Sequence, residues 1–157
     1  MPDLLVKLYT LPDLAPEIAA MREQGIDIRR SLAPEKHVVT NWVRQHFSEG
    51  WASETDVAYS NHPISCIVAT HEENLVGFAC YDATAKAFFG PTGVDETYRG
   101  RGIGKALLIA CLHEMKAQGY AYGIIGAAGP VDFYARTVGA TVIPDSWPGI
   151  YRGLLRD

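Results

Sequence analysis

The groups best suited to hold a charged ligand stand together at Tyr98-Arg99-Gly100-Arg101-Gly102-Ile103-Gly104-Lys105. Glycines at alternate positions, Gly100, Gly102 and Gly104, let a backbone turn sharply and approach a ligand with no Cβ in the way. Ile103, Ala106, Leu107, Ala110 and Cys111 then recur at helical spacing. The stretch therefore reads as a turn that opens into a helix, whose first N–H groups lack internal acceptors and lie at the positive end of the dipole. Phosphate is the ligand that such a place favours. Arg99, Arg101 and Lys105 add cationic side chains at the same point.

Two familiar phosphate loops do not account for it. A Walker A loop ends in Gly-Lys-Ser/Thr, whereas Gly104-Lys105 is followed by Ala106, and Arg99 stands where its first glycine belongs. The dinucleotide pattern G-x-G-x-x-G fails at Lys105 when started from Gly100 and at Leu107 when started from Gly102.

Other chemistry is sparse. Cys66, Cys80 and Cys111 are isolated within apolar runs and read as small buried hydrophobes rather than a disulfide framework. His37 and His46 are not at the spacing of about four residues that puts two ligands on one helix face, so no metal is expected. A net charge of −4 argues against a general nucleic-acid surface. No apolar run reaches the roughly 18 residues of a membrane span, and residues 1–13 lack a signal-peptide pattern, so a cytoplasmic location is expected.

The elements that must position the glycine stretch read as follows. Leu4 to Leu11 suits a strand, Asp13 can cap a helix ending at Gly25, and a second helix runs from near Glu35 to Phe47. Ser53-Glu54-Thr55-Asp56 resembles a cap for a short helix. Ile64–Thr70 and Leu75–Asp82 form a hairpin, and Ala87–Val94 is a strand interrupted by Gly90, Pro91 and Gly93. After the glycine stretch and its long helix come a strand at Tyr120–Ala127, a helix at Val131–Val138, and closing strands at Ala140–Ile143 and Ile150–Leu155. The order is mixed α/β, read as one domain over residues 1–157.

The pattern R-x-x-G-x-G, carried here by Arg99, Gly102 and Gly104, resembles the acetyl-CoA-binding motif of the GNAT acetyltransferase superfamily. Pro130-Val131-Asp132-Phe133-Tyr134 to Gly139-Ala140 is similar to that family's later Phe-Tyr segment, and the order of elements agrees from about residue 4 to 155. The resemblance implies an α/β (mixed α+β) GNAT fold with a mostly antiparallel twisted sheet of about seven strands and about four helices. It also implies a cleft between two central strands that part from each other, in which the pantetheine arm of coenzyme A lies.

By this resemblance Gly93 and Val94 would offer backbone groups to the arm, and the loop from Arg99 and Gly100 through Arg101, Gly102, Ile103, Gly104 and Lys105 would bind the pyrophosphate. Tyr134 would contact the cofactor and protonate the departing thiolate. Many relatives carry a carboxylate on the interrupted strand, but FFGPTGV has none; Asp82 on the neighbouring strand is a candidate base, directly or through water, and water-mediated deprotonation with no dedicated base is the alternative. Ala127 stands where many members have Asn. Trp51, Trp147 and Tyr151 would line the acceptor site. The implied activity is acetyl transfer from acetyl-CoA to a primary amine, small molecule or peptide, without nucleic-acid, membrane or metal involvement, in a possible homodimer. The alternative is a catalytically silent acyl-CoA-binding module on the same fold.

Overall fold

Strands that are apolar throughout belong in the middle of a sheet covered on both faces. The computed structural model, which describes residues 1–157, follows this rule. The chain runs β1 (Leu4–Lys7), α1 (Ala15–Glu23), β2 (Ile26–Arg30), α2 (Lys36–His46), α3 (Glu49–Ala58), β3 (Cys66–His71), β4 (Asn74–Tyr81), β5 (Phe88–Val94), α4 (Ile103–Ala117), β6 (Tyr122–Ile125), α5 (Val131–Val138) and β7 (Thr141–Val142). Its single seven-stranded sheet has the order β2-β3-β4-β5-β6-β1-β7. Every neighbouring pair is antiparallel except β5 with β6.

Alternation along the central strands sends side chains into two cores. Ile67, Ala69, Ala79 and Tyr81 face α1 and α4, whereas Cys66, Val68, Phe78 and Cys80 face α2 and α3; Val76 joins the first group because the β3–β4 register shifts beside it. Helix α4 is buried nearly all round, with Ala106 to Leu112 and Met115 all withdrawn from solvent, as expected of a helix laid across a sheet. This fixes the glycine stretch at its N-terminus against the sheet.

Several sequence expectations change. Asp13 does not cap α1, whose N-cap is Leu14 with no side-chain hydrogen bond. Ile26–Arg30 is a strand that the reading missed, because Asp27, Arg29 and Arg30 hide the pattern of an edge strand. The Arg29 guanidinium forks onto Glu35 at 2.8 and 2.6 Å, and Arg30 donates to the Ile64 carbonyl and the Tyr81 hydroxyl while pairing with Glu114. Ile150–Leu155 is not a strand: Gly149 and Gly153 take φ of +57° and +74°, and Gly149–Tyr151 is a 3-10 turn. Helix α3 begins before Gly50-Trp51 rather than after it, because the Ser48 hydroxyl caps the Trp51 N–H at 3.1 Å. The count of seven strands stands with one member exchanged, and helices α1 to α5 number five rather than four.

Candidate functional site

The site is built where two parallel neighbours separate. β5 and β6 pair only at Phe88 with Ile124 and Phe89 with Ile125. At Gly90 the backbone turns to φ +118°, a conformation open to glycine, and Pro91 has no N–H to give a ladder. From there to Val94, β5 pairs with β4 alone, so its other edge is left open. The Asp95 N–H bonds to the Val76 carbonyl at 2.8 Å. Antiparallel alternation then turns the Gly93 N–H toward β4 and the backbone groups of Val94 toward the open side. Gly93 has a separate reason to be glycine, since a Cβ there would overlap the ring of Phe47.

The glycine stretch closes the mouth of this gap. Gly100 and Gly102 adopt φ of +82° and +87°, and a Cβ at Gly100 would meet nothing within 4 Å. None of the N–H groups of Gly100 to Lys105 reaches an acceptor in the protein; the first satisfied is that of Ala106, which bonds to the Gly102 carbonyl at 3.1 Å. Free donors at a helix N-terminus need an anion or water. They border a cavity of about 490 Å³ whose walls include Phe47, Trp51, Val94, Arg99 and Phe133. A pyrophosphate-bearing ligand with a slender arm fits this donor set, and the open strand edge offers the arm a backbone partner.

The cationic side chains are partly engaged. Lys105 Nζ lies 3.2 Å from Glu17, the Arg101 guanidinium stacks over Tyr98 at 4.6 Å, and the Arg101 carbonyl accepts from Gln24 at 2.9 Å. Arg99 lines the cavity. Asp95 caps the turn before the loop by accepting from Thr97, which with nearby His46 holds its carboxyl below the usual range.

Tyr134 lies on the sheet-facing side of α5, edge-on to Phe89 with ring centroids 6.5 Å apart. Burial pushes its phenol up, so the hydroxyl stays protonated well past neutral pH. That hydroxyl takes no partner from the protein, yet no sealed polar side-chain atom lacks one, so its oxygen reaches solvent. Its neighbour Phe133 lines the cavity, whereas Tyr134 itself is not in the wall.

Asp82 falls elsewhere. It sits at φ +53° in the β4–β5 turn, where one carboxylate oxygen accepts the Ala87 N–H at 2.7 Å and the other accepts the Tyr120 hydroxyl at 3.1 Å. Both oxygens therefore brace the hairpin, and the side chain is absent from the cavity walls. Of the expected acceptor residues, Trp51 is in the cavity wall, whereas Trp147 and Tyr151 are at the opposite end of the gap. There the Tyr151 hydroxyl crowds Gly126, where a Cβ would lie 2.5 Å from it and 2.9 Å from Phe88. Trp147 is half exposed beside Tyr151, ring centroids 6.5 Å apart. Phe47, Thr92, Tyr98 and Phe133 are the wall residues that the sequence reading did not assign to the site. Phe133 was legible as the partner of Tyr134 in the Phe-Tyr segment, but Phe47 read as one more apolar residue of a helix stripe. No three His, Cys, Asp or Glu side chains gather in a way that would hold a metal ion. No helix is long and apolar enough to cross a membrane.

Comparison with known proteins gives the same architecture. The sequence model described as "Acetyltransferase (GNAT) family" matches residues 34–139. No curated protein matches the chain significantly. Among solved structures, the glucosamine N-acetyltransferase region of a fungal multi-domain GH3 beta-N-acetylglucosaminidase is similar at a TM-score of 0.74 and 19% identity, over 90% of this chain and 19% of that one. An N-acetyltransferase from Sphaerobacter thermophilus is similar at 0.68 and 19% identity, over 90% of this chain and 48% of its own. A GNAT family N-acetyltransferase of Escherichia coli in complex with CoA is similar at 0.50 and 22% identity, over 60% of this chain and 58% of that one. The chain thus spans less than two thirds of each of these proteins, and the likeness is one of fold.

Proposed function

The chain belongs to the GNAT acetyltransferase family, and from that premise we propose that it is an acetyl-CoA-dependent N-acetyltransferase that moves the acetyl group directly to a primary amine. The observation that carries this reading is the row of unpaired N–H groups from Gly100 to Lys105 at the mouth of the gap between β5 and β6. Those donors take the pyrophosphate of coenzyme A through charge-assisted bonds, and the open edge at Val94 takes the pantetheine arm as an added strand. Phe47, Trp51 and Phe133 exclude water around the arm.

Transfer then needs little more than placement. The neutral amine nitrogen bonds to the thioester carbon, the C–S bond breaks, and the thiolate leaves with a proton. Tyr134 is the proposed donor of that proton: it is protonated at neutral pH, and its hydroxyl has no internal partner to release first. Asp82 is assigned to the turn, not to the chemistry, because both its oxygens are occupied.

The test is a panel of primary amines incubated with the protein and acetyl-CoA while free thiol is followed. Amine-dependent thiol release with a matching acetylated amine supports the proposal. Tight acetyl-CoA binding without release from any amine would place the chain with silent acyl-CoA-binding modules instead.

A further inference from the structure

The far end of the gap, away from the glycine loop, carries a carboxylate that the rest of the molecule does not explain. Helix α3 has three acidic side chains. Glu49 pairs with Arg44 at 2.8 Å and Asp56 with Lys36 at 2.9 Å, each on the exposed surface. Glu54 has no cationic partner; it accepts only the Thr84 hydroxyl, at 2.6 Å, through one of its two oxygens. It is also half withdrawn from water, which raises its carboxyl above the usual range in spite of that hydrogen bond. A partly desolvated carboxylate with one oxygen free and no counter-charge is costly to keep unless something arrives to meet it.

Its position says what arrives. Trp51, one helical turn earlier on the same helix, lines the cofactor cavity. Glu54 therefore stands about 4.5 Å further along the α3 axis, and the helix links the two ends of the gap. At this end the Tyr151 hydroxyl lies against Gly126 and Phe88, where β5 and β6 are still paired. Burial first, and then the nearby carboxylates of Glu54 and Asp3, push the Tyr151 phenol up to about 12. Asp3 is itself buried and spends one oxygen on the Ala127 N–H at 2.8 Å. Glu54 forms no ion pair, and the basic residues nearest along the chain, Lys86 two residues from Thr84 and Arg152 beside Tyr151, are exposed. The place is thus acidic, walled by aromatics, and without an ion-paired cation.

We infer that Glu54 seats the ammonium of the acceptor amine and takes its proton, and that the acceptor is a cationic primary amine with no carboxylate beside the reacting nitrogen. This rests on the acetyltransferase reading above. The ammonium gives one proton to Glu54, which passes it to water; the freed nitrogen forms the C–N bond as the thioester C–S bond breaks; Tyr134 protonates the thiolate and regains a proton through water from the nitrogen's second, and the third stays on the amide. An acceptor with a carboxylate next to its amine meets Glu54 and Asp3 with like charge and nothing to offset it.

The experiment separates this inference from the activity on which it rests. Calorimetric titration of the CoA-loaded protein with 2-phenylethylamine and isobutylamine, and with their carboxylated counterparts phenylalanine and valine, reads acceptor binding whether or not turnover occurs. The uncarboxylated amines bind wild type more tightly, and Glu54→Gln weakens them about 30-fold, the effect of removing one partner of a partly buried charge pair. In turnover, kcat/KM of wild type rises with pH through the Glu54 titration, Glu54→Gln flattens that limb, and Glu54→Asp, which keeps the charge, restores part of it. Equal amine affinity in Glu54→Gln, no binding by either uncarboxylated amine, or preference for the carboxylated ones overturns the inference. Thiol release by the wild type tests the transferase reading alone. Thermal unfolding of both variants with CoA bound confirms that they are folded.

Discussion

Gly104 allows the pyrophosphate assignment to be tested without disturbing the fold. It lies in the first turn of α4 with ordinary helical backbone, and a Cβ built there would have Val94 Cγ2, at 3.8 Å, as its nearest neighbour, an ordinary contact. Gly104→Ala should therefore cost nothing in packing, and alanine's better helix propensity adds up to about 1 kcal/mol of stability. Yet the new methyl points toward Val94 and so into the cavity, across the row of free N–H groups. If it holds the phosphates away from two of those donors, two charge-assisted bonds of about 1.5–3 kcal/mol each are lost. That is about 3–6 kcal/mol, or a rise in Kd of at least about 100-fold. Calorimetric titration with acetyl-CoA and thermal unfolding of the apo protein read the two effects separately. A variant as stable as wild type that binds acetyl-CoA within about threefold of it would refute the placement of the pyrophosphate on this helix start. Gly102→Ala is the contrast: its φ of +87° makes alanine unfavourable by about 1–2 kcal/mol, so binding and stability should fall together.

Tyr134→Phe should lower kcat about 100-fold while the Kd for acetyl-CoA changes little, because only the hydroxyl's proton is removed; unchanged kcat takes Tyr134 out of the mechanism. For Asp82, the turn assignment predicts that Asp82→Asn, which can still accept the Ala87 N–H, keeps turnover close to wild type, whereas Asp82→Ala loses about 1–3 kcal/mol in urea unfolding. A large loss of turnover in a folded Asp82→Asn protein would return it to the chemistry. Glu35 is held down to about 2 by the Arg29 fork and the Leu32 N–H, against 4.5 when unfolded. A depressed carboxylate adds stability above its unfolded value and loses it as pH falls toward the folded one. The advantage of wild type over Glu35→Gln, about 1 kcal/mol at neutral pH for a fork whose partners are 35% and 31% exposed, should therefore vanish between about pH 4.5 and 2. Unfolding curves at pH 7, 4 and 2.5 check the trend, and a constant difference across them contradicts it.

Local rules carried a good part of this protein. The alternating glycines, the apolar helix behind them and the interruption of FFGPTGV are all statements about what a backbone can do over ten or so residues, and each is found where the sequence puts it. The helix at Val131–Val138 with its left-handed Gly139 is another case, because a glycine stop needs no tertiary partner. The strand Ile26–Arg30 was hidden because its charges make sense only beside Glu35, Glu114 and Tyr81, up to 84 residues away. Ile150–Leu155 failed the other way: its side chains suit a strand, but positive φ at Gly149 and Gly153 and a two-residue β7 leave no ladder to join.

The same division runs through the site. Which N–H groups are left free at the start of α4 was written in the glycine spacing, since unpaired donors at a helix start are a local property. Which side chains stand at the two ends of the gap was not. Asp82 and Glu54 are both polar residues at ordinary positions in the sequence; the turn at Ala87 and the arrival of Tyr120 before β6 consume both oxygens of Asp82, whereas the packing of α3 against the hairpin occupies one oxygen of Glu54 and leaves the other free. Neighbours distant in the chain decide what a carboxylate faces, and that is settled only when the sheet and its helices close around it.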